Sequence, residues 1–227
     1  MPLIKKNNDE SSFFRRLFLT LGLLSLVGFI FFLIWFVFIW EVPKETLSLG
    51  ESSQSSQHLL KSLQAAPQGG NFTLNSTLGR VSLSDFKDKV VLLYFGYRAC
   101  PDICPSSLAT LSAAWRKLTV EQQSKVQIIF VSLDPERDTP ILLKEYVDYF
   151  RANILGLTGK EADLQLIAKK YGVAFRKVKS DSALGYLLDH SANIYLLDQT
   201  GTLTTTLAHG IMVDAVVTQV INVLEKQ

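Results

Sequence analysis

Between Leu17 and Trp40 the chain runs for 24 residues without one charged side chain. As a helix rising about 1.5 Å per residue, such a run reaches ~36 Å, against a bilayer hydrocarbon core of ~30 Å. A buried core helix with no polar face would need a far larger protein around it. The apolar region of a cleaved signal peptide spans only about 7 to 15 residues and ends at a small-residue cleavage site. Glu41, Val42, Pro43 and Lys44 follow instead, with no such site. The run therefore predicts one uncleaved transmembrane helix over residues 17–40. Lys5, Lys6, Arg15 and Arg16 precede it and only Lys44 stands close behind, so the basic-residue rule keeps residues 1–16 in the cytoplasm and exports the rest. The expectation is a single-pass protein of the inner (cytoplasmic) membrane with its C-terminal domain in the periplasm, where disulfides can form.

The anchor distorts the average composition. Eight of the 14 Phe and two of the three Trp lie between Phe13 and Trp40, and residues 1–40 carry a net charge of +2. What remains holds 19 basic and 19 acidic residues, a balance that offers no footprint for nucleic acid. With 48% hydrophobic residues the chain is not disordered throughout, and 2 Cys are too few for a disulfide scaffold. Residues 41–71 read as a polar linker: Lys44 to Asn71 holds six Ser and four Gln with Gly50, Pro67, Gly69 and Gly70. As a flexible coil this stretch averages roughly 30 Å end to end. His58 falls within it and reads as a solvated linker residue.

Residues 72–227 predict one α/β domain. Val90 to Phe95 is a continuous apolar run, as is Val126 to Val131, each the pattern of a strand covered on both faces. Leu108, Leu111 and Trp115 space a helix over Pro105 to Leu118, and Thr139-Pro140 caps and opens another that runs to about Arg151. A short strand is expected at Leu155 to Leu157, then a helix opened by a capping box at Thr158-Gly159-Lys160-Glu161. Val173 to Lys179 reads as an edge strand. Asn193 to Leu197 and Thr202 to Leu207 flank a hairpin turn at Asp198-Gln199-Thr200-Gly201, and Met212 to Lys226 closes the chain as a helix. A β-α-β-α start that ends in a hairpin and a helix is the thioredoxin-type order, built on a central mixed sheet.

Both cysteines sit between the first buried strand and its helix, in Cys100-Pro101-Asp102-Ile103-Cys104-Pro105. A spacing of four puts two side chains on one helical face, one turn apart, so their sulfurs can converge. Free N–H groups and the positive dipole at a helix N-terminus favour thiolate over thiol. The alternative is a structural disulfide, but closing so short a loop removes little chain entropy. A soft metal held by two thiolates calls for an imidazole as third ligand. His190, just before the later central strand, can come alongside on such a sheet, although a lone loop histidine is by default structural or solvated. Asp102 reads as a local cap or hydrogen-bond acceptor, since carboxylates suit hard cations. Asp189 either orients His190 through a hydrogen bond or begins a turn. Asp134, Arg137 and Asp138 read as a structural ion-pair and turn network, and His209 as solvated.

Cys100-Pro101-Asp102-x-Cys104-Pro105 follows Tyr94-Phe95-Gly96-Tyr97. Ser132-x-Asp134-Pro135-x-Arg137-Asp138-Thr139-Pro140 comes next, then Asp189-His190-Ser191 ahead of Tyr195-Leu196-x-Asp198-x-x-Gly201. In that order and spacing the motifs resemble the Sco/SenC family of copper chaperones, over essentially residues 72–225. The resemblance implies a thioredoxin-like fold and one copper ion, Cu(I) or Cu(II), bound by Cys100, Cys104 and His190. It also implies two partners: the cytochrome c oxidase subunit that carries a dinuclear copper site, and a protein that donates the copper. One departure stands out. Many members have Thr-His before the first cysteine, where this chain has Arg98-Ala99, and the charge of Arg98 is expected to favour a neighbouring thiolate. A chaperone of this kind is not an enzyme. The rival class is one, a thiol–disulfide oxidoreductase that cycles a Cys100–Cys104 disulfide to reduce the oxidase cysteines and does not need His190. A peroxiredoxin-like activity is weaker still, because position 97 is Tyr where a Thr-x-x-Cys setting has Thr.

Overall fold

The structure, a computed structural model, describes residues 25–36, 67–180 and 185–226. Residues 25–36 are helical, with Phe29, Phe31 and Trp35 exposed. Among the described residues no helix is long and apolar enough to cross a membrane. The expected span over 17–40 runs past the described helix at both ends, and residues 1–16, His58 and the linker up to residue 66 lie outside the described residues.

From residue 67 onward the elements are β1 (Thr73–Ser76), β2 (Gly79–Ser82), a 3-10 turn (Leu83–Phe86), β3 (Val90–Gly96), α1 (Ile103–Lys117), α2 (Val120–Ser124) and β4 (Val126–Ser132). Then come α3 (Pro140–Asp148), β5 (Ile154–Leu157), α4 (Glu161–Lys170), β6 (Phe175–Lys179), β7 (Tyr186–His190), β8 (Ile194–Leu197), β9 (Leu203–Leu207) and α5 (Val213–Leu224). Every residue of β3 and β4 is buried, and the two pair in parallel from Val90↔Val126 to Gly96↔Ser132. With neither face open to water, such strands read as unbroken apolar runs rather than alternating ones. β5 lies parallel beside β4, while β8 and β9 complete the sheet antiparallel, giving the order β5-β4-β3-β8-β9. Thr139 caps α3 by accepting from Leu142 N–H, with Pro140 in its first turn. Asp198 turns the β8–β9 hairpin by accepting from the N–H groups of Thr200 and Thr202, and Gly201 takes the left-handed φ of 81° that closes it. This mixed sheet with its crossover helices, hairpin and closing helix is the thioredoxin-like fold.

Three local expectations fail. The strand after α4 is not the edge of the central sheet: among the described residues β6 pairs only with β7, in a separate two-stranded sheet. His190 is therefore the last residue of a strand and not part of a loop. Thr158 opens no capping box, because its backbone exchanges two hydrogen bonds with Asn75 of β1, and the N-cap of α4 falls on Lys160. Finally, α1 starts at Ile103, so Cys100 precedes the helix and only Cys104 lies in it.

The topology sets the site. In an open sheet with parallel strands, ligands gather beyond the carboxyl ends of those strands. β8 runs antiparallel to β3 with Ile194 opposite Tyr94, so the segment entering β8 arrives where β3 hands over to the cysteine turn.

Candidate metal centre

Leaving β3 at Gly96, the chain turns through Tyr97 to Cys100, whose N–H donates to the carbonyl of Tyr97 at 3.3 Å. Cys104 is completely buried in the first turn of α1, and Cys100 retains 9% exposure. Glycine is required at position 96: a Cβ there would sit 2.6 Å from Cys104 Sγ and 3.0 Å from Phe130. The bare backbone at the end of β3 is the room in which the sulfur lies.

His190 reaches the same spot from β7. Its Nε2 lies 3.3 Å from Cys104 Sγ, and the ligand atoms of Cys100, Cys104 and His190 all fall within 4.8 Å of one another. The imidazole is steered on both sides. Nδ1 pairs with the carbonyl of Ser191 at 3.0 Å, which leaves Nε2 to face the sulfurs. Tyr97 and Tyr94 meet the ring edge-on, with centroids 5.8 and 6.5 Å away.

The two thiols divide one proton unequally. A hydrogen bond from the Cys104 thiol holds the Cys100 sulfur well below the ordinary cysteine range, helped by His190 and by the N–H groups of Asp102 and Cys104 at the start of α1. Cys104 moves the other way, because it donates to Cys100, is buried, and faces the Cys100 charge. Cys100 is thus the thiolate and Cys104 the thiol, and both cysteines are free of any disulfide. Two soft sulfurs and one imidazole nitrogen in reach of a single point form a donor set suited to copper.

The acidic and basic residues of the motifs frame this site without entering it. Asp102 occupies the N-cap of α1, where its side chain makes no cap bond. Asp189 does not orient His190. Consecutive strand residues face opposite ways, and its carboxylate bonds Arg176 on the solvent side. Ser191, not Asp189, fixes the imidazole. Arg98 is held by the buried Asp138 carboxylate at 3.4 Å, and the groups that acidify Cys100 are the neighbouring thiol, the imidazole and backbone N–H donors. Asp138 also accepts from the N–H of Arg98 at 2.9 Å and from Ser132 Oγ, tying the cysteine turn to the end of β4. Asp134 and Arg137 are an ion pair at 2.5 Å, as the turn network required.

His209 is exposed, yet its Nδ1 meets Ser107 Oγ at 3.0 Å. Sequence reasoning passed over Tyr94, which donates to Cys104 and contacts Ser107, and Tyr97, whose hydroxyl accepts from Leu188 N–H. Both stand in the quoted motif beside the cysteines, which was the available signal. Tyr186 was also missed, for want of any predicted strand to carry it.

Comparison with known proteins agrees with this geometry. The SCO1/SenC family profile matches residues 61–225. Protein SCO1 homolog 2, mitochondrial, of Arabidopsis thaliana is 45% identical over 131 residues, 57% of this chain and 47% of that one. The chain spans about half to two thirds of the length of the curated relatives it matches. Among solved structures, Arabidopsis thaliana ScoI with copper bound aligns over 70% of this chain and 99% of that one, at 34% identity and a TM-score of 0.65. BsSco, described as a member of the Sco family of cytochrome c oxidase assembly proteins in which a disulfide switch was identified, aligns over 72% and 96% at 26% identity with a TM-score of 0.56.

Proposed function

The chain belongs to the SCO1/SenC family, and from that premise we propose that it carries one copper ion on Cys100, Cys104 and His190 and hands it to the dinuclear copper site of a cytochrome c oxidase during assembly. The observation that carries this reading is the convergence of two sulfurs and one imidazole within 4.8 Å at the carboxyl end of β3. A thiolate at Cys100 is ready to take the metal, and Cys104 gives up its proton as it becomes a ligand. The copper comes from a donor protein and leaves by exchange of ligands with the oxidase. Residual exposure of Cys100 and the edge position of His190 favour such exchange over a closed site. A transmembrane helix over residues 17–40, with residues 1–16 in the cytoplasm and the linker 41–71 outside, would hold the domain at the membrane face of its target and raise its local concentration.

The free, adjacent cysteines also support a second reading. The Cys100 thiolate attacks a disulfide of the oxidase subunit and forms a mixed disulfide; the Cys104 thiolate then displaces the target sulfur, leaving the target reduced and the Cys100–Cys104 pair oxidised. His190 separates the two readings. In cells lacking this gene, oxidase assembly is scored after complementation with the wild type or with His190→Ala, while the thiol redox state of the chain is followed in parallel. Copper delivery predicts lost assembly with intact cysteine cycling. Full assembly with His190→Ala would leave thiol reduction as the function.

A further inference from the structure

His190 rides on a weakly supported element of the domain. β6 and β7 share no hydrogen bond with the central sheet, and within β7 only Leu188 is buried. A two-stranded hairpin is marginal by itself in water, so something must seat it. Apart from the Leu188 N–H that donates to the Tyr97 hydroxyl, the polar ties converge on Tyr186. Its hydroxyl donates to Asp134 Oδ1 at 2.7 Å and to Glu136 Oε2 at 3.2 Å. The guanidinium of Arg137 lies 3.7 Å over its ring and donates to its carbonyl at 3.0 Å. On β6, Lys177 pairs with Glu136 at 2.6 Å. Asp134, the anchor of this cluster, has no exposed surface.

Tyr186 and His190 are the first and last residues of β7, four apart, so both face the same side. About 13 Å of strand separates them at ~3.3 Å per residue. Arg137 also sits 5.9 Å from the Tyr97 ring, the ring that meets His190 edge-on.

Building on the copper reading above, we propose that Tyr186, gripped by Asp134 and Arg137, is a positioning residue that latches β7 against the β4–α3 loop and so holds His190 over the two sulfurs. Its contribution falls on retention of the metal. With the latch closed the imidazole is in place when the cysteines bind, and with it open the site reduces to two sulfurs. The motif Asp134-Pro135-Glu136-Arg137 thereby gains a role beyond its own turn.

The test uses the full-length chain loaded with one Cu(I), its release to a bathocuproine-class chelator, and amide exchange without metal. Tyr186→Phe keeps the ring beneath Arg137 and removes the hydroxyl bonds. It is expected to speed release about five- to tenfold, the size of one net hydrogen bond, and to raise exchange at residues 186–190 but not in β3 or β4. In the His190→Ala background the same change is expected to leave release unaltered, which a general loss of stability would not do. Wild-type release from Tyr186→Phe, or equal acceleration in the two backgrounds, overturns the latch. A wild-type chain that takes up no copper overturns the copper reading, and unchanged exchange at 186–190 overturns the seating of β7 by Tyr186, so the two failures are told apart.

Discussion

The site joins two regions built to different standards. Cys104 is fully buried against a strand whose seven residues are all buried, packed so closely that position 96 has no room for a methyl group. His190 ends a strand with exposed neighbours, in a hairpin outside the main sheet. One half fixes where the sulfurs are and which of them is charged. The other half brings an imidazole that the domain can lose without losing its core. On the proposed copper-delivery function, that asymmetry lets the two halves be tuned separately.

The largest expected effect comes from breaking the rigid half. Cys104→Ser should weaken Cu(I) binding by far more than the 10- to 100-fold typical of supporting contacts around a metal, measured by competition with a chromophoric chelator. His190→Ala should leave residual binding, with the metal lost faster. Equal loss in the two variants would erase the distinction between the halves.

Gly96→Ala is the next test. The added Cβ must displace Cys104 Sγ or Phe130, and overpacking of this kind costs about 1–3 kcal/mol, readable from urea midpoints. Hydrogen exchange in β6 and β7 should stay as in the wild type. A Gly96→Ala protein as stable as the parent would show that the sulfur is not confined as described.

A third prediction concerns protons. Because Cys100 is acidified by the Cys104 thiol, its thiolate persists well below the ordinary cysteine range near 9. Alkylation of Cys100 by iodoacetamide, followed by peptide mass spectrometry, should therefore change little as pH falls from about 8 to about 6. Cys104→Ala removes the donor, and the rate should then drop steeply over that interval. In stability terms an acid with a depressed folded pKa contributes most above its unfolded pKa, so the stabilisation from apo Cys100 is full above about 9 and fades to nothing as pH falls through about 3. A steep alkylation profile in the wild type would contradict the shared proton.

The smallest effect is expected at Asp189→Asn. Its ion pair with Arg176 joins side chains that are 59% and 77% exposed, and exposed pairs contribute about 0–1 kcal/mol. Copper release should stay within about threefold of the wild type. A larger change would mean that Asp189 acts on His190 by a route other than a hydrogen bond.

The same division governs what could be read from the sequence. β3, β4, α1 and α3 were legible because buried parallel strands and capped helices leave patterns that local residues dictate, as Thr139-Pro140 does for α3. The convergence of Cys100, Cys104 and His190 was legible because the motifs carry all three. β7 was not, since Tyr186 and Leu188 alternate over too few residues to announce a strand, and its pairing with β6 rather than the main sheet depends on contacts with Asp134 and Arg137 some fifty residues away. The partner of Arg98 was hidden for a related reason: Asp138 lies 40 positions on, where no local rule connects them. Asp189 was placed wrongly as a candidate by its nearness in sequence to His190, when strand alternation turns it outward.

X-ray absorption at the copper edge of the loaded full-length chain reads the atoms around the metal themselves. The wild type is expected to hold one copper per chain with two sulfur scatterers and one imidazole, and His190→Ala two sulfurs without the imidazole. Copper bound through nitrogen and oxygen alone, or a wild-type spectrum unaltered by His190→Ala, would contradict that expectation.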